Sequence, residues 1–176
     1  MAAHAQPGLV LRGRRRRQRA TRGLSDAPLA HARGPFVRRL PHHPLPRRRY
    51  APGRGPHPRY SAEPWVPEPE VCPSVRKTWQ DPRWLYGLDL FHHDFPWEAH
   101  EVLEALWKDL GPQTPEGELV QGVIQLAAAR LTGELGRSAA RERLLRRGRD
   151  RIHRAARRTE LPPHVAAEAA ACSESA

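Results

Sequence analysis

The sequence predicts an all-α protein: a small bundle of about four helices with helical-hairpin packing, preceded by a disordered Arg/Pro-rich arm. Three observations predict it. Apolar residues recur at helical spacing in four successive segments after residue 81. Those segments are bounded by N-cap, Pro and Gly signals. The first 60 residues hold fifteen Arg, no Lys and one acid, Asp26, with no apolar period. Such a segment buries too little surface to offset its ordering entropy.

In chain order, residues 1–49 are the arm, and part of it could lie upstream of the true start. Because Met1 is the sole methionine, a later start would need a non-AUG codon, for example at Val37. Residues 50–80 read as a Pro/Gly-rich strap. Pro52, Gly53, Gly55, Pro56 and Pro58 exclude a helix there, while Trp65 and Trp79 are placed to pin the strap to the helical domain. That domain covers residues 81–158. Asp81-Pro82 is an N-cap followed by Pro at the first helical position, and Trp84, Leu85, Leu88 and Phe91 continue a short helix to about His93. Pro96 opens a second helix, with Ala99, Leu103, Leu106 and Leu110 on one face, and Gly111-Pro112 stops it. Thr114-Pro115 with Glu116 and Glu118 starts a third, whose run from Leu119 to Leu131 is apolar almost all round and belongs at the buried centre. After Gly136 a fourth spans about Ser138 to Arg158, with Leu144, Leu145, Ile152 and Ala156 facing inward. Residues 159–176 are expected to be a frayed tail. Short loops make successive helices antiparallel neighbours, as in helical-hairpin repeats, but no second copy of the unit is present.

The formal charge of +11 resides in the N-terminal third, and the rest of the chain carries 15 basic and 18 acidic residues. A weak, salt-sensitive nucleic-acid contact through the arm is therefore expected, and no basic face is expected on the folded part. Arg outnumbers Lys, which appears only as Lys77 and Lys108. With the heavy use of Ala, Gly and Pro this reads as GC-rich coding, so the Arg runs are first of all a solvated tail. Cys72 and Cys172 lie far apart in segments that look irregular and terminal, which suits a reducing cytoplasm. No apolar run approaches the length of a membrane span, and no apolar core follows Arg14–Arg17 to make a signal peptide.

Chemistry, if present, concentrates between Phe91 and Trp107. At about 100° per residue, His100, Glu104 and Trp107 form one stripe at the edge of the apolar face, while Glu101 points away, towards Lys108. Gln121 and Gln125, four residues apart on the central helix, need hydrogen-bond partners when buried. The favoured reading is a structural network of His100, Glu104, Gln121, Gln125 and the Trp107 indole. The competing reading is a metal or acid/base site, with His100, Glu104 and Glu101 as catalytic candidates. His100, Glu104, His93 and Asp94 are then the candidate ligands of a divalent metal. His100-Glu-Val-Leu-Glu104 lacks the second His of a zincin, so a metal is not favoured. His92 and His93 by themselves read as an exposed helix end. No activated Cys, Ser elbow or phosphate-binding glycine loop is present.

Arg83–Phe91, Trp97–Trp107 and Gln121–Ala129 together closely resemble the bacterial family called domain of unknown function 309, over about Tyr50 to Arg158. Its AHE-x-x-E-x-x-W motif falls on Ala99, His100, Glu101, Glu104 and Trp107, and its Gln-rich helix on Gln121 and Gln125. Leu103 stands where many relatives carry Trp, and His93-Asp94 where many carry a small turn. The resemblance implies a small all-α cytosolic protein and supplies no activity. Three functions are carried forward. The first is a non-enzymatic module binding a protein or small ligand in a groove beside Trp97, His100, Glu101, Glu104, Trp107, Gln121 and Gln125. The second is a metal-dependent or acid/base hydrolase centred on His100 and Glu104. The third is nucleic-acid association through the arm.

Overall fold

A computed structural model describes residues 36–55, 57, 69 and 78–176. Among them a 3-10 turn at Thr78–Gln80 precedes five helices, and no strand occurs. These are α1 (Pro82–His92), α2 (Pro96–Leu110), α3 (Pro115–Glu134), α4 (Ser138–Arg158) and α5 (Pro163–Ser175). Each of α1 to α4 packs on the next, and α5 folds back on α3 and α4.

Local chemistry sets the helix ends. Asp81 caps α1 by accepting the Arg83 N–H at 2.8 Å, and Thr114 caps α3 by accepting the Gly117 N–H at 3.0 Å. Pro stands at the first position of both helices and of α2. The turn after α1 is closed by Asp94 at φ 64°, where the Phe95 N–H reaches back to the Leu90 carbonyl at 2.9 Å. That is the left-handed C-terminal cap usually given to glycine.

The core matches the helical periodicity. Trp84, Leu88, Phe91, Ala99, Leu103, Leu119, Val123, Leu126 and Ala127 are almost fully buried, and α3 lies at the centre. The α3–α4 seam is narrow because glycines face each other across it. A Cβ on Gly148 would stand 2.9 Å from the Gly122 carbonyl oxygen, and one on Gly122 would stand 2.7 Å from Ile152.

Four expectations are corrected. The tail is not frayed: α5 buries Val165, Ala169 and Cys172, so the bundle has a fifth helix. On α4 the inward residue is Ala155, and Ala156 is exposed. α3 starts at Pro115 as expected, and at its other end it continues past the apolar run at Leu131 to Glu134.

The largest correction concerns the arm. Residues 36–50 are laid over α1 and α5. Asp89, fully buried, accepts the backbone N–H groups of Arg39 (2.8 Å) and Leu40 (2.9 Å), and Arg39 Nε donates to Glu168 at 2.9 Å. The Tyr86 hydroxyl donates to the Pro44 carbonyl at 2.9 Å, and Leu40 and Leu45 pack against the core. A buried carboxylate needs donors, and here backbone amides supply them. Trp79 packs edge-on to Trp84 at 5.2 Å, as expected of a pinning residue. Residues 1–35, Cys72 and Trp65 lie outside the described residues.

Candidate functional site

Helix α2 presents a polar face at its middle. His100 Nδ1 lies 3.5 Å from a Glu101 carboxylate oxygen, and Lys108 pairs with Glu104 at 3.3 Å. Glu101 thus turns towards His100, and Lys108 is taken by Glu104, the reverse of the expected partition. The His100, Glu101 and Glu104 donor atoms all lie within 4.8 Å of one another, each side chain half-buried. His93 and Asp94 are not part of this group. His93 Nδ1 stands 2.8 Å from the Asp89 carbonyl and Asp94 faces Arg130 at 3.6 Å, both at the end of α1.

The expected network between α2 and α3 is not formed. Among the described residues no hydrogen bond joins His100 or Glu104 to Gln121 or Gln125. His100 Nδ1, Trp107 Nε1 and Gln125 Oε1 are each shielded from solvent without a hydrogen-bond partner. Donors and acceptors left in this way each cost about 1–3 kcal/mol.

The Trp97 edge is not an open groove either. Trp97 is buried, with the rings of Tyr50 (4.7 Å) and His57 (5.2 Å) set edge-on to it. Beside it Glu98, 4 % exposed, accepts the Tyr50 N–H at 2.8 Å. Burial pushes its carboxyl up to about 7 against the pull of that N–H and of Arg49, and Glu101 adds to the push. Glu98 and its strap partner were invisible in the sequence, because Trp97-Glu98 looks like an ordinary first turn.

The groups buried beneath α5 are held in their neutral forms. His92 was expected at an exposed helix end but is buried, stacked on Phe36 at 4.2 Å, with Nε2 3.8 Å from Cys172 Sγ. Burial, then the charges of Arg39 and Arg130, lowers the imidazole to about 4, so it is neutral and its 3.7 Å approach to Glu168 is not an ion pair. Burial likewise pushes the Cys172 thiol up to about 12. A thiol so held is inert at neutral pH.

Residues 84–144 match the family model described as Domain of unknown function (DUF309). No curated protein and no solved structure matches the chain. No helix among the described residues is long and apolar enough to cross a membrane.

Proposed function

We propose that this chain, which through residues 84–144 belongs to the domain of unknown function 309 family, is a helical binding module whose α2 face takes a small ligand. In the simplest case that ligand is a divalent cation held by His100, Glu101 and Glu104. One observation carries the reading: three donor atoms of mixed type within 4.8 Å of one another on a half-buried face. Donors around a zinc-sized ion stand roughly 3–3.5 Å apart, so modest rotamer changes would gather them. One imidazole and two carboxylates suit a borderline divalent ion. Trp107 and Gln125, with unpartnered polar atoms, add hydrogen-bonding capacity on the same helix and its neighbour. The Trp97 edge is filled by Tyr50 and His57, so it no longer motivates a protein-binding groove. Cys172 as a free thiol accords with a cytoplasmic setting.

The test is calorimetric titration of the chelator-treated full chain with zinc and with manganese. One ion per chain is expected, with uptake lost in His100→Ala and in Glu104→Gln while helicity is kept. An absence of uptake, or uptake unchanged in both variants, would overturn the cation reading. A cation held by three protein donors keeps open positions at which water is activated, so uptake by the parent that both variants lose would open the hydrolase reading to substrate screening.

A further inference from the structure

Helix α4 carries nine Arg in 21 residues against two acids, Glu142 and Asp150. This corrects the expectation that the folded part lacks a basic face, because a near-neutral total conceals how the charge is partitioned. At about 100° per residue, Arg143, Arg146, Arg147, Arg154, Arg157 and Arg158 fall within one third of the helix circumference. Asp150 is the one acid among them. From 143 to 158 the stripe is about 22 Å long.

Part of this charge is used by the fold. Glu118 accepts hydrogen bonds from Arg154 (2.8 Å) and Arg158 (3.0 Å), and Arg149 bonds to the Ser173 carbonyl (2.8 Å). Burial opposes ionisation of Glu118, but these two Arg outweigh it and hold its carboxyl below the usual range. Arg143, Arg146, Arg147 and Arg157 are different. They are exposed and enter no hydrogen bond or ion pair among the described residues. Like charges at this spacing weaken a helix by a few tenths of a kcal/mol per pair. The first turn of α4 also holds no acid, and its N-cap, Arg137, makes no side-chain cap, against the dipole preference. A local rule broken repeatedly with no gain to the fold marks a functional surface.

We infer that the α4 stripe docks on the phosphate backbone of duplex DNA, independently of sequence. Guanidinium groups match phosphate bidentately. Residues 138–158 contain no Phe, Tyr or Trp to stack single-stranded bases. The one exposed large hydrophobic among the described residues is Val37, which is not on α4, so this helix offers no exposed large apolar side chain to a lipid surface. A helix about 10–12 Å across fits the ~12 Å major groove of B-DNA and not the narrow one of A-form RNA.

The test is fluorescence anisotropy of the full chain with a labelled DNA duplex across a salt series. It is run in a background carrying Arg14→Gln, Arg15→Gln, Arg16→Gln and Arg17→Gln to reduce the arm's contribution. Adding Arg143→Gln, Arg146→Gln, Arg147→Gln and Arg157→Gln should weaken binding at least about tenfold. It should also flatten the slope of log affinity against log salt by about 3–4, with the helical circular dichroism unchanged. If the quadruple change unfolds the chain, Arg146→Gln with Arg147→Gln reads the same way at about half the slope change. Binding and slope equal to those of the background would overturn the inference. So would equal or tighter binding of an RNA duplex or of phosphatidylserine vesicles.

Discussion

Glu98 and His92 are buried titratable groups whose effects on stability run in opposite directions with pH. Burial raises the Glu98 carboxyl to about 7, so the folded chain holds that proton after the unfolded chain has released it. Its contribution is greatest in acid and is lost as pH rises from about 4.5 to about 7, by up to about 3 kcal/mol. Burial lowers His92 to about 4, so its contribution is present above the ordinary value of 6.5 and is lost as pH falls towards 4. The two slopes oppose each other in the shared window, and the parent should show a nearly flat stability profile there. Glu98→Gln keeps an acceptor for the Tyr50 N–H and removes one slope. Its unfolding free energy in urea should climb with pH through that window and exceed the parent's by about 1–3 kcal/mol above pH 7. Parallel profiles for parent and variant would mean that Glu98 ionises normally. Neither residue was legible in the sequence. A Glu in a first turn and a His at a helix end are surface residues until strap and α5 cover them.

At the scale of the element, the glycines of the α3–α4 seam and the cap of α1 make separate predictions. Gly148→Ala should gain up to about 1 kcal/mol of helix propensity. It must also push a Cβ to 2.9 Å from the Gly122 carbonyl, a backbone atom that cannot turn aside. Overpacking costs about 1–3 kcal/mol and should win, so a net loss of about 1–2 kcal/mol is expected in thermal unfolding. Asp94→Gly should act oppositely. It relieves a positive φ that costs an L-residue about 1 kcal/mol, and it gives up an Arg130 ion pair to a well-exposed carboxylate worth little. A gain of about 0.5 kcal/mol is expected, and a lower melting temperature would show that the Arg130 contact matters more than the backbone. Helix starts were readable because Asp81, Thr114 and the Pro residues act through neighbours along the chain. The fifth helix was not, since a short Ala-rich segment becomes stable through burial of Val165, Ala169 and Cys172 rather than through propensity.

At the scale of the whole molecule, the segment 36–50 is part of the fold, and truncation measures this. A fragment beginning at Arg33 retains every described contact and should melt with the full chain. A fragment beginning at Ala51 strips Asp89 of the Arg39 and Leu40 amides and removes Leu40 and Leu45 from the core. A buried carboxylate without donors costs about 3–5 kcal/mol, so the melting temperature should fall by about 10 °C or more; equal melting of the two fragments would make the segment a passive covering. The sequence by itself determined the all-α class, helices α1 to α4, the buried centre at α3 and the stripe of His100 and Glu104. These arise from periodicity and capping, which act over a few residues. Tertiary structure alone decided that Glu101 joins His100, that Tyr50 and His57 close over Trp97, that Asp89 anchors the chain fifty residues before it, and that four Arg of α4 have no partner among the described residues. Each of these depends on which distant group supplies or withholds a partner for a buried or charged side chain, and pairing across such separations leaves no local period in the sequence.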